Sequence, residues 1–146
     1  MRGANEMVVR AATFNELTTT EFHDLVKLRI DVFVVEQECA YPELDGRDTE
    51  PGTRHLWIAM RGEMVATLRI LDDGDELRIG RVATGKNFRH KGHAANLMRY
   101  ALTLAPGPFV LDAQSHLSQW YEQFGFIRDG HDFLEDGIPH IPMRRE

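Results

Sequence analysis

Leu77-Arg78-Ile79-Gly80-Arg81-Val82-Ala83 reads as a strand and Arg89-His90-Lys91-Gly92-His93-Ala94 as a loop. Ala94, Leu97, Met98, Ala101, Leu102 and Ala105 then form the apolar stripe of a helix. The short apolar run Phe109–Ala113 follows, so strand, helix and strand make a crossover that joins two parallel strands. From Leu77 to Leu111 there is no Asp or Glu, although the chain carries 23 acids against 17 Lys and Arg. Arg78, Arg81, Lys86, Arg89, Lys91 and Arg99 all fall inside that window. Backbone N–H groups that open a helix among cations are a common way to hold phosphate. The window therefore predicts a site for a polyanionic small molecule.

Working outward, Met7–Ala12 is a strand candidate, and Thr18 with Glu21 three residues on is a capping-box signature. Phe22, Leu25, Val26, Ile30 and Phe33 share one helical face, which predicts a helix over Thr19–Val35. Cys39–Arg54, rich in acids and turn formers, reads as a loop. Leu56–Met60 and Met64–Leu71 are strands joined at Arg61-Gly62-Glu63, and Asp72-Asp73-Gly74-Asp75 turns the chain into Leu77–Ala83, completing a three-strand antiparallel meander. Pro106-Gly107-Pro108 ends the long helix. Ser115–Phe124 is a second helix stopped by Gly125, and Phe126–Phe133 and His140–Arg144 are strands around Glu135-Asp136-Gly137. The order predicts an α/β fold with a mixed sheet, in a single domain over residues 1–146.

Composition narrows the function. At 146 residues there is room for one domain with a real core. A net charge of −6 argues against a broad nucleic-acid footprint. No secretory leader is legible and no apolar run approaches the roughly 18 residues of a membrane span, so a cytoplasmic location is the expectation. Cys39 is the only cysteine, and no His or Asn constellation ties it to nucleophilic chemistry. His90 and His93 are three apart but lack a third ligand nearby, so no metal site is expected.

Two glycine motifs overlap here. Gly80-Arg81-Val82-Ala83-Thr84-Gly85-Lys86 matches seven positions of a nucleotide-triphosphate loop, but Asn87 stands where a hydroxyl must hold magnesium. Gly80 also sits within the strand, and the helix begins too late. The second motif, Arg89-x-x-Gly92-x-Ala94, lets the backbone approach a diphosphate at a helix start. Its bland alternative is a strand-to-helix turn with solvated cations. On these residues alone both readings stay open, with the acid-free surroundings favouring binding.

This chain resembles the GNAT acyltransferases, whose motif Arg/Gln-x-x-Gly-x-Gly/Ala is met by Arg89, Gly92 and Ala94. A Tyr four residues before a Gly-Phe pair is a second family element, matched by Tyr121, Gly125 and Phe126. Within the family the chain is most similar to the ElaA-like group. The segments that carry this are Val32-Phe33-Val34-Val35-Glu36-Gln37, Asp45-Gly46, Ile79-Gly80-Arg81-Val82, Ala113-Gln114-Ser115-His116-Leu117 and Glu135-Asp136-Gly137-Ile138-Pro139-His140.

The resemblance implies a sheet splayed between its fourth and fifth strands, with acetyl-coenzyme A as co-substrate. The pantetheine arm would meet the backbone of Val82, Ala83 and Thr84, and the diphosphate the loop Arg89, His90, Lys91, Gly92, His93 and Ala94. Two departures stand out: Ala94 replaces the commoner Gly, and Gln114 stands near where many relatives have Asn. The implied reaction is acetyl transfer to a primary amine of a small molecule or peptide, with a backbone N–H near Val82 facing the developing oxyanion. Tyr121 would face the leaving sulfur. An unperturbed Tyr is a weaker acid than a thiol by ~1.5 units, so full proton transfer is uphill by roughly 2 kcal/mol and a hydrogen bond is the better role.

Candidate groups on the acceptor side are Glu36, Asp45, His55, His116 and His140; an acid at Asp45 suits a cationic amine, though it also suits a turn. Three alternatives remain open: a Tyr121 merely packed beside Trp120 and Phe124, a non-catalytic acyl-coenzyme A sensor, and a nucleotide-triphosphate hydrolase. Oligomeric state, a homodimer included, is not legible.

Overall fold

The computed structural model describes residues 7–38 and 42–146; Cys39 and the start of its loop lie outside them. Strands β1 (Met7–Ala12), β2 (Arg54–Met60), β3 (Glu63–Asp72) and β4 (Leu77–Thr84) pair antiparallel in chain order. The amino-terminal strand thus extends the expected meander to four. Arg61 and Gly62, at φ of 53° and 78°, form the tight β2–β3 turn, whose backbone needs two left-handed residues. Beyond β4 the sheet continues with β5 (Phe109–Gln114), β8 (Ile138–Arg145) and β6 (Ile127–Arg128), while β7 (Phe133–Glu135) also pairs β8.

Helix α1 (Thr19–Arg29) starts at the expected cap: Glu21 N–H donates to Thr18 Oγ1 at 3.0 Å and Thr18 N–H to Glu21 Oε1 at 2.9 Å. The helix predicted to Val35 is α-helical only to Arg29. Ile30–Glu36 is a π-helix, closed by Gln37 N–H donating to Val32 O at 3.2 Å. An apolar stripe does not reveal the extra residue per turn, and a π segment marks functional sites often enough to note. Helix α2 (His93–Thr103) buries Leu97, Met98 and Ala101 against β2 and β3. With Leu56, Ile58, Leu68, Ile79, Phe109 and Phe126 they form the main core. The predicted helix Ser115–Phe124 divides into a 3-10 turn, Ser115–Leu117, and α3 (Ser118–Glu122).

The strand expected over Phe126–Phe133 is broken between β6 and β7. The partner strand β8 carries Pro142 there, which has no N–H to give to a ladder. Asp129 N–H still donates to Pro142 O at 2.8 Å, and Gly130 swings clear at a φ of 151°, where a Cβ would sit 2.9 Å from Pro142 Cγ. No helix among the described residues is long and apolar enough to cross a membrane.

Two backbone irregularities position the site. Parallel pairing of β4 with β5 is confined to Leu77 with Phe109 and Arg78 with Val110, after which the strands part. In β4 the register against β3 slips by one residue between Thr67 and Arg69, opposite Arg81–Val82, and Arg81 takes a φ of 52°. Such a bulge frees backbone groups from the ladder and re-aims the strand. The mixed sheet splayed between its fourth and fifth strands matches the expected architecture.

Candidate functional site

The splay opens a cavity of about 370 Å³, walled by Ile79–Val82 of β4 and by Leu111, Asp112 and Gln114 of β5. Tyr121 of α3 lines it, with Glu135, Asp136, Ile138 and His140 of the β7–β8 hairpin and Asp45 of the loop after the π-helix. The Tyr121 ring is only 7% exposed and packs edge-on against Trp120 and Phe126, at centroid distances of 4.9 and 6.4 Å. It is therefore both a core side chain and a cavity wall. Burial pushes its phenol up to about 12. Against an ordinary thiol, transfer of that proton to a thiolate is uphill by roughly 5 kcal/mol, so this hydroxyl serves sulfur as a hydrogen-bond donor.

Beyond β4 the chain turns through Lys86–Phe88 and enters α2 at Gly92, whose φ of 81° makes it the left-handed N-cap. No side chain caps this helix and its first turn holds no acid. The first helical bond runs from Asn96 N–H to Gly92 O, so the N–H groups before it are left for another acceptor. A Cβ at Gly92 would meet open space, so the glycine is required by backbone conformation rather than by crowding. Such a helix end can hold an anion.

The window without acids in sequence is not without acids in space. Arg89 grips Glu36 through both terminal nitrogens at 2.5 and 2.6 Å and donates from Nε to Thr84 O. Arg78 pairs with Asp73 and Asp112, and Arg81 with Glu43. Those guanidinium groups brace the fold, which corrects the expected cation ring. His93 also departs from expectation: its ring is 6% exposed, and both nitrogens are buried without a hydrogen-bond partner among the described residues. Burial, reinforced by Lys91, lowers its pKa. His90 and Lys91 are exposed, Ala94 and Thr84 half-buried, and the Ala83 methyl is in the interior.

The acceptor-side candidates scatter. His55 is 1% exposed and absent from the lining: it lies beside Arg69 on the neighbouring strand, with Nε2 3.0 Å from Asp48 O. His116 is exposed and outside the lining. Glu36 is committed to Arg89 and borders a separate cleft between the π-helix and Gly85–Phe88. Asp45 does reach the cavity, yet its carboxylate accepts from Arg69 at 2.6 and 3.0 Å and from the Arg47 N–H at 3.0 Å. Those bonds hold its pKa well below the usual carboxylate range, and its charge is already spoken for. His140 alone of the three histidines stays in the wall.

Sequence reasoning missed the buried ion network beneath that wall. Arg29, 1% exposed, donates to Glu43 at 2.6 Å and to both oxygens of Asp48 at 2.8 and 3.1 Å. Arg69 donates to Asp48 and Asp45, and Arg81 to Glu43. Three guanidinium groups meet three carboxylates, and the acidic loop is thereby pinned to α1, β3 and β4. A signal did exist: Leu25, Arg29 and Val32, at i, i+4 and i+7, are all buried, so the arginine sits within the apolar stripe.

Comparison with known proteins defines the class. The family model for the acetyltransferase (GNAT) domain matches residues 23–146, and the chain belongs to that family. The family's chemistry is acyl transfer with an acyl-coenzyme A as donor. Within it the chain is ElaA-like. It is 39% identical to Protein ElaA of Escherichia coli over 140 residues, covering 90% of this chain and 92% of that one. It is also 45% identical to a UPF0039 protein of Mycobacterium tuberculosis over 143 residues, covering 94% and 92%. The crystal structure of E. coli ElaA superposes with a TM-score of 0.90 at 36% identity, covering 97% of this chain and all (100%) of the other. That of an acyl-CoA N-acyltransferase from Pseudomonas aeruginosa gives 0.92 at 38% identity, again covering 97% and 100%.

Proposed function

We propose that this protein transfers an acetyl group from acetyl-coenzyme A to a primary amine of a small molecule or peptide. The observation that carries this reading is the cavity in the β4–β5 splay, with a phenol in its wall and an uncapped helix N-terminus following β4. The amides of the 89–94 loop and of the first turn of α2 suit a diphosphate. The backbone of Val82, Ala83 and Thr84, which follows the bulge on the edge that β5 leaves unpaired, suits a pantetheine arm. Together these fit a coenzyme A-sized donor whose thioester ends beside Tyr121.

In this reading Val82 N–H stabilises charge on the carbonyl oxygen. Tyr121 donates a hydrogen bond to the departing sulfur. Arg89 acts through geometry: its bonds to Glu36 and Thr84 O fix the loop whose backbone does the binding.

Native mass spectrometry of the purified protein, followed by thiol release from acetyl-coenzyme A with a pooled amine panel, tests the reading. The expected result is co-purified coenzyme A or an acyl derivative, and thiol release above hydrolysis with at least one amine. Binding without turnover on any amine would favour an acyl-coenzyme A sensor. Failure of coenzyme A to bind would remove the proposal altogether.

A further inference from the structure

We infer that His140 and Glu135 form the subsite for the acceptor's ammonium group, with His140 Nε2 taking the proton an amine must lose before it can attack. This rests on the acyl-transfer reading above and deepens it. Strand β8 sends Ile141 and Met143 into the core, and Ile138 and His140 into the cavity wall shared with Tyr121. His140 is 7% exposed and stacks on Phe133 at 5.7 Å with 25° between the rings, so its orientation is fixed.

Its Nδ1 lies 2.7 Å from Ile138 O. A carbonyl oxygen only accepts, so Nδ1 carries the hydrogen, and the neutral ring keeps a lone pair on Nε2. Glu135 Oε2 is 3.5 Å from that Nε2. Two acceptors 3.5 Å apart call for a donor that bridges both from one side. A primary ammonium brings three N–H groups and satisfies both; a hydroxyl brings one, and a quaternary ammonium none.

After proton transfer the same arrangement holds the product, an imidazolium between a carbonyl and a carboxylate. The Glu135 side chain is 57% exposed and opens a path to solvent. The other charged or titratable groups of the same cavity lining are Asp136 of this turn, Tyr121 of α3, Asp112 of β5, Arg78 and Arg81 of β4, Arg69 of β3, and Asp45 and Arg47 of the acidic loop.

The step balances as follows. One ammonium proton passes to His140 Nε2 and leaves through Glu135 to water. The freed nitrogen lone pair forms the C–N bond to the thioester carbonyl carbon as the C–S bond breaks. The second nitrogen proton ends on the sulfur that Tyr121 steadies, giving amide, thiol and one released proton.

Two measurements decide this. Histidine ¹⁵N spectra of the whole protein at pH 8, with His140 assigned by its loss in His140→Asn, should show the Nδ1–H tautomer. The Nε2 resonance should shift on adding n-butylammonium chloride, and that shift should vanish in Glu135→Gln. A proton on Nε2, or no response to n-butylammonium, overturns the subsite even if the enzyme reading stands.

Asn at 140 keeps an N–H for Ile138 O but offers no ring lone pair. With the best amine of the panel, His140→Asn should lose at least about 100-fold in kcat at pH 7. It should recover most of that toward pH ~10, where solvent deprotonates the amine, and bind coenzyme A as before. Retained turnover at pH 7 refutes the proposal. Wild-type protein that binds no coenzyme A, or turns over no amine, refutes the enzyme reading instead, and the spectra still decide the subsite.

Discussion

Tyr121 couples the core to the cavity. Its phenol, raised by burial to about 12, stays protonated across the working range and can donate to a thiolate. Tyr121→Phe keeps the ring packed on Trp120 and Phe126 while removing the donor. The expected outcome, by analogy with loss of one oxyanion-type donor, is a kcat lower by about 10²-fold with coenzyme A affinity within twofold, read by steady-state kinetics and calorimetry. Equal losses in both would mean a packing role. Gly92 makes a different demand. Its φ of 81° disfavours any side chain although nothing stands in the way of one. Gly92→Ala should lower unfolding free energy by ~1–2 kcal/mol in urea titration, with Gly92→Asn milder because Asn tolerates left-handed backbone.

At the scale of elements, two ion pairs anchor the same helical stretch with very different energetics. Arg29 on α1 is buried with Glu43 and Asp48, so Arg29→Met leaves those carboxylates to Arg81 and Arg69, with one buried negative charge uncompensated. A loss of about 3–5 kcal/mol in unfolding free energy is expected, with the 42–53 loop becoming sensitive to protease. Glu36 at the end of the π-helix holds Arg89 at a partly exposed surface. Glu36→Ala should cost less than about 1 kcal/mol of stability, since exposed pairs contribute little. Its effect should fall on coenzyme A affinity, because the pair fixes the loop before α2. A stability loss as large as that of Arg29→Met would show the pair to be structural.

For the whole molecule, acid stability follows from which titratable groups are buried. Burial lowers the pKa of His55 and His93 below the value in the unfolded chain. Each is protonated more readily unfolded than folded, so stability is full above about 6.5 and falls as pH drops through that range. Burial by itself would raise the pKa of Asp48 and of Asp45, but their arginines hold both carboxylates low. Their contribution is full above about 3.9 and is lost as pH falls toward their folded values. Calorimetric Tm should therefore decline from pH 7 to 5 and again, more steeply, below 4. A Tm that rises from pH 7 to 5 would contradict the buried neutral histidines.

Local pattern determined much of this protein. Hydrophobic period placed α1, α2 and β1 to β5, because burial of one face is written into spacing. The strand–loop–helix unit from Leu77 to Ala105 placed the helix end that Gly92 opens, because turn and cap chemistry are short-range. Pairing between distant residues was not legible. Nothing near Arg89 announces Glu36, and nothing near Arg29 announces Asp48, because opposite charges meet through folding rather than through spacing. The π turn, the bulge at Arg81–Val82 and the break opposite Pro142 likewise depend on what each strand or helix packs against. Only the tertiary structure separated His140, in the cavity wall, from His55, buried against Asp48, and His116, outside the lining, since burial and neighbours, not residue type, decide what an imidazole can do.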